Sequence, residues 1–309
     1  MTVLNRIAAC CCLLILGQGV FAQPPGVTME MIMRQLPLEG APKAVPGPYS
    51  VTREAARADF DDPGYLVIRP IGLGNFPDKD NMPLVVWGNG GCAIDGSRYG
   101  DFLGTIASHG FIVVTTIAIE PEEGEARTNA NANDMRDIIE WAEMENEREG
   151  SHLKGKIDLE HIALMGQSCG GMMAATAGLD PRVDIVGLFN SGLAAPSDGT
   201  PAGRATTDSL AFLNGPVLII NGGEVDFMYE TARENFELID HVPVFYGARG
   251  NAGHTATVYH PGGGEYANVA SNWLLYFFKG DEEAGKMFVG ENCGLCINDN
   301  WETDAKGLN

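Results

Sequence analysis

Residues 162–171 read Ile-Ala-Leu-Met-Gly-Gln-Ser-Cys-Gly-Gly, an apolar run followed at once by glycines around a single serine. The apolar run is too hydrophobic to leave a face in water and predicts a buried strand, while the small residues from Cys169 onward predict a helix. Gly166 to Gly170 fit the pattern G-x-S-x-G, which between a strand and a helix forms a sharp turn with the serine hydroxyl above the sheet. This position in the chain makes Ser168 the candidate nucleophile.

Short apolar runs alternate with helical patterns on both sides of this turn. The predicted strands lie at residues 65–68, 84–87, 111–114, 162–165, 183–186, 217–220 and 242–245. The predicted helices cover about 132–148, the segment from Cys169, and about 265–278. Such alternation predicts an α/β fold with a mainly parallel central sheet and helices on both faces.

The N-terminus has the features of an export signal. Arg6 precedes the apolar run of residues 7–16, which is too short to span a bilayer, and small residues at positions 20–22 favour cleavage after Ala22. We therefore expect a signal peptide at 1–22 and a secreted or periplasmic protein. The rest divides into an N-terminal arm (23–62), one catalytic domain (63–280) and a C-terminal tail with a cysteine pair (281–309).

The mature chain is strongly acidic. Without the leader, 19 Lys and Arg face 41 Asp and Glu, a net charge of −22. Such a surface repels nucleic acid and anionic lipid and keeps the protein in solution, so neither partner is expected. No later segment is apolar enough to cross a membrane, and nothing in the sequence indicates the oligomeric state.

A serine nucleophile needs a histidine base, and the strand–turn–helix arrangement requires the chain order Ser, acid, His. That order excludes the three histidines that precede Ser168: His109, His152 and His161. His241 lies just before a predicted strand, the wrong end for a site at the strands' carboxyl ends. His254, on a glycine-containing loop after the last predicted strand, is the predicted base, and His260 is its rival.

The base needs a carboxylate to orient it. Asp226 lies where the chain has turned away from the carboxyl end of the strand at 217–220, and it is the predicted acid. Its rival Glu224 lies two residues earlier. Buried against His254, the Asp226 carboxylate would hold the imidazole tautomer and stabilise its positive form.

The tetrahedral intermediate of acyl transfer needs two N–H donors as an oxyanion hole. One is the amide of Cys169, which opens the helix after the turn. The other is expected from the glycine-rich segment Trp87 to Cys92, at Gly91 or Cys92.

The same glycine-rich segment supports a rival interpretation. Gly88 to Ala93 fit G-x-G-x-x-A, a dinucleotide fingerprint, with Glu120 as the acid for the ribose. Glu120 is too far along the chain, however, and a nicotinamide cofactor is scarce outside the cell. The rival also leaves Ser168 without a role, so no cofactor is predicted.

Together these motifs resemble the α/β-hydrolase superfamily, in particular secreted dienelactone hydrolases, chlorophyllases and cutinase-like serine esterases. The resemblance spans about residues 46–280 and rests on Gly47-Pro48-Tyr49, Trp87 to Cys92, Ser108-His109-Gly110, Gly166 to Gly171, Asp226 and Gly253-His254. It implies hydrolysis of carboxylic esters without a cofactor. Dienelactone hydrolases proper have a cysteine nucleophile where this chain has Ser168. Cutinase-like esterases commonly have Met or Leu where it has Cys169.

About 26 residues separate the predicted strands at Phe189 and Pro216, too few for a cap domain, so we predict an open cleft suited to a bulky or polymer-attached ester. A peptidase or acyltransferase on the same fold, and a catalytically idle binding protein, stay as alternatives.

Four cysteines follow the leader, and an even number in an oxidising compartment favours two disulfides. Cys92 and Cys169 each lie beside one of the two segments expected to form the oxyanion hole, on adjacent strands of a hydrolase sheet. We therefore predict a Cys92–Cys169 bridge, with Cys293–Cys296 as a small C-terminal loop. Two buried free thiols at 92 and 169 are the alternative. No further ligands accompany Cys293 and Cys296, so no metal site is predicted.

Overall fold

The computed structural model describes residues 28, 38, 41–56, 64–75, 82–119, 127–197 and 204–308. The predicted signal peptide at 1–22 and Glu120 lie outside these ranges. The described strands are β1 (Val51–Ala56), β2 (Gly64–Pro70), β3 (Met82–Gly88), β4 (Ile112–Ile117), β5 (Ile157–Gln167), β6 (Ile185–Phe189), β7 (Val217–Asn221), β8 (Val244–Arg249) and β9 (Trp301–Lys306). They form one sheet in the order β1-β2-β4-β3-β5-β6-β7-β8-β9.

The helices within the described ranges are α1 (Gly100–Ala107), α2 (Ala132–Glu147), α3 (Cys169–Ala177), α4 (Tyr229–Leu238), α5 (Gly264–Lys279) and α6 (Glu282–Gly285). In the central part of the sheet, the neighbouring strands β4-β3-β5-β6-β7-β8 all run parallel. The predicted α/β fold with a mainly parallel sheet is confirmed. None of these helices is long and apolar enough to span a membrane.

The helices cover both faces of the sheet because successive strand residues point to opposite sides. In β3, Leu84 and Val86 belong to one buried cluster with residues of α2, α3 and α4. Val85 and Trp87 belong to a second cluster with residues of α1 and α5. Every residue of β3 is buried, as expected for a central strand with helices on both faces.

Each predicted strand has a counterpart in the sheet, but the boundaries differ, most clearly at the starts of β6 and β8. β6 begins at Ile185 and not at residue 183. Just before it, the Asp184 carboxylate accepts a hydrogen bond from the amide of Ile162 at 2.8 Å. β8 begins at Val244 and continues to Arg249, after Pro243, which has no N–H to donate.

The sheet is also wider than the catalytic domain predicted at residues 63–280. β1 lies within the predicted N-terminal arm and pairs antiparallel with β2. β9 lies within the predicted C-terminal tail and pairs antiparallel with β8. Both edge strands are half-exposed and polar, so they lack the apolar run by which the central strands were predicted.

The C-terminal segment is held to the domain by a buried polar cluster. The Trp301 indole donates to one oxygen of Glu265 at 2.7 Å, and the Arg249 guanidinium donates to the other at 2.9 Å. All three side chains are buried. A buried carboxylate is tolerated because both of its oxygens are bonded, one of them to a cation.

Candidate active site

Ser168 lies on the turn between β5 and α3 in a strained conformation. Its φ of 55° and ψ of −123° lie in a region that non-glycine residues rarely adopt. The turn is fixed to the end of β6 by the amide of Ser168, which donates to the Phe189 carbonyl at 2.9 Å. Gly170 must be glycine, because a Cβ there would overlap the backbone of Gly88 at the end of β3. The hydroxyl of Ser168 is thereby presented at the carboxyl edge of the sheet.

His254 connects Ser168 to Asp226. Its Nε2 lies 2.8 Å from the Ser168 Oγ, and its Nδ1 lies 2.7 Å from the Asp226 Oδ1. The imidazole is buried, and the ring of Phe227 packs against it with the centroids 4.0 Å apart. The structure therefore brings together the three residues that the sequence singled out as nucleophile, base and acid.

The Asp226 carboxylate is buried but well supplied with donors. Burial opposes its charge, but His254, together with hydrogen bonds from Asn190 and Met228, holds the pKa of Asp226 below its ordinary value. The carboxylate is therefore ionised and accepts a hydrogen bond from the Nδ1–H of His254, which leaves the Nε2 lone pair free to accept the Ser168 proton. This is the protonation state that a general base needs.

Asn190 is a residue of this site that the sequence analysis missed. Its Nδ2 donates to Asp226 Oδ2 at 2.7 Å and to the Gly253 carbonyl at 3.1 Å. It therefore joins the acid to the loop that carries His254. Asn190 directly follows β6 and has a φ of 48°, a left-handed conformation that asparagine tolerates better than most residues. A polar residue at the carboxyl end of a buried strand was its only signal.

Neither of the rival residues, Glu224 and His260, belongs to the hydrogen-bonded chain from Ser168 through His254 to Asp226. Glu224 is exposed to solvent, whereas Asp226 is buried against His254. His260 precedes the short 3-10 helix Pro261–Gly263. The remaining imidazoles bond to groups outside the site, namely His109 to Val45, His152 to Glu54, His161 to Asp158 and His241 to Leu213.

The two predicted donor segments are neighbours. Cys169 is the first residue of α3, and the first amides of a helix have no partner within it. Gly90–Cys92 forms a tight 3-10 turn after β3, in which Gly91 has a φ of 68° and Cys92 a φ of 50°. Cys92 and Cys169 are at disulfide distance, with their Cα atoms 5.1 Å apart. Cys293 and Cys296 are also at disulfide distance, with their Cα atoms 4.9 Å apart. These are the two pairs predicted from the sequence.

The dinucleotide interpretation finds little support. A dinucleotide fingerprint needs a helix that opens directly on its glycines. Here a 3-10 turn follows β3, and α1 begins only at Gly100. Across the described ranges, no group of three or more His, Cys, Asp and Glu side chains is arranged to hold a metal ion.

The Cys92–Cys169 bridge should affect both stability and rate. Replacing both residues by Ala opens a loop with a sequence separation of 77, which is expected to cost about 4 kcal/mol of unfolding free energy. It should also lower kcat for an ester by about 10- to 100-fold, because the predicted donor segments lose their fixed spacing. Thermal unfolding and ester kinetics measure the two effects.

The second cysteine pair provides a matched control. Cys293→Ala with Cys296→Ala opens a loop with a separation of only 3, so a smaller loss of stability and an unchanged kcat are expected. Peptide mapping without reduction must yield a cross-linked pair containing Cys92 and Cys169. Alkylatable thiols at both positions would contradict the bridge.

The parallel sheet with its serine on a strand-to-helix turn and its glycine-rich loop after β3 defines an α/β-hydrolase fold. Residues 52–200 match the family model of chlorophyllase. The match indicates an ester hydrolase of the α/β-hydrolase type. It contains Ser168 and the Gly90–Cys92 turn but ends before Asp226 and His254, whose assignment depends on the geometry described above. No curated protein matches the chain significantly.

Proposed function

We propose that the protein is a secreted serine hydrolase that cleaves carboxylic esters through an acyl-enzyme intermediate. The observation that carries the proposal is the chain of two hydrogen bonds, 2.8 Å and 2.7 Å long, from Ser168 through His254 to Asp226 on a strained strand-to-helix turn. The chlorophyllase match supports ester chemistry. The two cysteine pairs at disulfide distance support export, since disulfides persist in oxidising compartments.

In the first half-reaction, the Ser168 Oγ attacks the ester carbonyl carbon while its proton passes to His254 Nε2. The carbonyl oxygen becomes an oxyanion, which accepts hydrogen bonds from the Cys169 amide and from the amide of Gly91 or Cys92. The intermediate collapses as the C–O bond to the alcohol breaks. His254 returns its proton to the departing alcohol, and the acyl group stays on Ser168.

In the second half-reaction, water attacks the acyl-enzyme carbonyl and gives a proton to His254 Nε2. Collapse of the second intermediate releases the carboxylic acid and returns the proton to Ser168. Asp226 remains ionised throughout and stabilises the imidazolium each time it forms.

We infer an ester with a bulky or polymer-attached group as the substrate. The short connection between β6 and β7 supports an open cleft, and its described part contains the short 3-10 helix Thr207–Phe212. Two apolar side chains flank the buried acid: Val225 is 52% exposed, and Phe227 is half-buried against His254. Apolar surface beside the reacting groups suits an apolar acyl or alcohol group.

A substrate panel tests the proposal. Soluble aryl esters of increasing acyl length, chlorophyll, a polyester film and matched amides are compared at equal protein concentration. We expect ester hydrolysis with ordinary saturation kinetics, and rates on the amides at least about 100-fold lower, because an amine is a poorer leaving group than an alcohol. Faster cleavage of the amides would identify a peptidase. Transfer of the acyl group to an added alcohol in preference to water would identify an acyltransferase, and the absence of turnover would indicate an idle binding protein.

A further inference from the structure

The hydroxyl of Tyr99 is the centre of a buried hydrogen-bond network beside the proposed catalytic groups. It accepts the amide of Gly90 at 2.9 Å, at the start of the Gly90–Cys92 turn. It also accepts the hydroxyl of Tyr259 at 3.1 Å. Burial and the neighbouring Tyr99 raise the pKa of Tyr259, so its hydroxyl stays protonated and remains a donor.

Gln167 continues the network across the site. Tyr99 donates to Gln167 Oε1 at 3.0 Å, and Gln167 Nε2 donates to the backbone carbonyl of His254 at 2.9 Å. Gln167 is the residue directly before Ser168. One chain of hydrogen bonds therefore joins three backbone segments: the turn that carries Gly91 and Cys92, the turn that carries Ser168, and the loop that carries His254.

The geometry of this chain is fixed by burial. Tyr99 is completely buried and Gln167 is 3% exposed, so water does not readily replace a lost partner. Space is also tight: a Cβ on Gly90 would overlap both the Gln167 amide and the Tyr99 hydroxyl. The Tyr99 ring packs against Trp87 of β3 with the centroids 5.4 Å apart, which anchors the hydroxyl to the rigid sheet.

We propose that Tyr99 and Gln167 are positioning residues that set the distance between the oxyanion-hole turn and the Ser168–His254 pair. This inference rests on the proposed function. A displacement of a donor by about 1 Å has little effect on binding of the uncharged ester but a large effect on the charged intermediate. Loss of the network should therefore lower kcat and leave KM almost unchanged.

Tyr99→Phe tests the proposal, because it removes one hydroxyl and keeps the ring. We expect kcat on a soluble aryl ester to fall about 10- to 100-fold with KM within about threefold of wild type. Tyr246→Phe is the matched control. It also removes a buried phenol hydroxyl, but from β8 in the core on the opposite face of the sheet, and its kcat should equal that of wild type.

Gln167→Met breaks the same chain from its other end and should give the same pattern, so the test does not depend on the folding of one variant. Kinetics are normalised to folded protein by circular dichroism and to active sites by titration. If either variant folds and keeps wild-type kcat, or loses activity only through KM, the positioning role is overturned. A wild-type protein that hydrolyses no ester would instead contradict the proposed function.

Discussion

Ser168→Ala is expected to lower kcat/KM for ester hydrolysis by at least about 10⁴-fold, because alanine has no oxygen that can attack the ester carbonyl. The stability of the variant should be close to that of wild type. The hydroxyl is only partly buried and its hydrogen bond to His254 contributes little to packing. Initial rates on an aryl ester and a thermal melt measure both quantities.

Ser271→Ala is the control for this substitution. Ser271 is a fully buried serine of α5, and its hydroxyl has no hydrogen-bond partner within the described part of the chain. Its removal should leave activity unchanged. A Ser168→Ala protein that retains more than a few per cent of wild-type activity would show that another group is the nucleophile.

Asp226→Asn has the second-largest expected effect, a fall in kcat of about 10³- to 10⁴-fold. An amide in place of the carboxylate no longer fixes the proton on His254 Nδ1 and no longer stabilises the imidazolium. The neighbouring variant Glu224→Gln removes a negative charge from an exposed position of the same loop and should leave kcat unchanged. An equal fall in kcat in the two variants would show that activity depends on the negative charge of the loop and not on the carboxylate of Asp226.

The same substitution has a predictable dependence on pH. The pKa of Asp226 lies below its ordinary value of 3.8, so its ionised form is favoured in the folded protein. Its contribution to stability is fully present above about pH 4 and is lost as the pH falls through the lower folded pKa. The difference in Tm between wild type and Asp226→Asn should therefore shrink as the pH falls below about 4. A difference that grows in acid would contradict the ionised, hydrogen-bonded state of Asp226.

The central residues of the candidate site could be predicted from sequence motifs and from the order of residues along the chain. Ser168 stands out because its pattern lies between an apolar strand and a small-residue helix. Asp226 and His254 follow from the rule that parallel strands end at one edge of the sheet. The structure places these three side chains in contact, and their catalytic roles stay a proposal.

The supporting residues gave no comparable signal. Asn190 and Tyr99 are single polar residues outside any motif, and their importance depends on which loops the fold brings together. The edge strands β1 and β9 were missed for a related reason. Their half-exposed sequences lack the continuous apolar run of a central strand, so only pairing in three dimensions identifies them.

Active-site labelling tests the central claim most directly. The purified protein is treated with a fluorophosphonate, which reacts with activated serine hydroxyls, and the adduct is located by peptide mass spectrometry. We predict one phosphonyl group per chain, on Ser168, with complete loss of ester hydrolysis and no labelling of Ser168→Ala. An adduct on another residue would contradict the assignment of Ser168 as the nucleophile. So would a protein that carries no adduct after treatment and still hydrolyses the ester at the full rate.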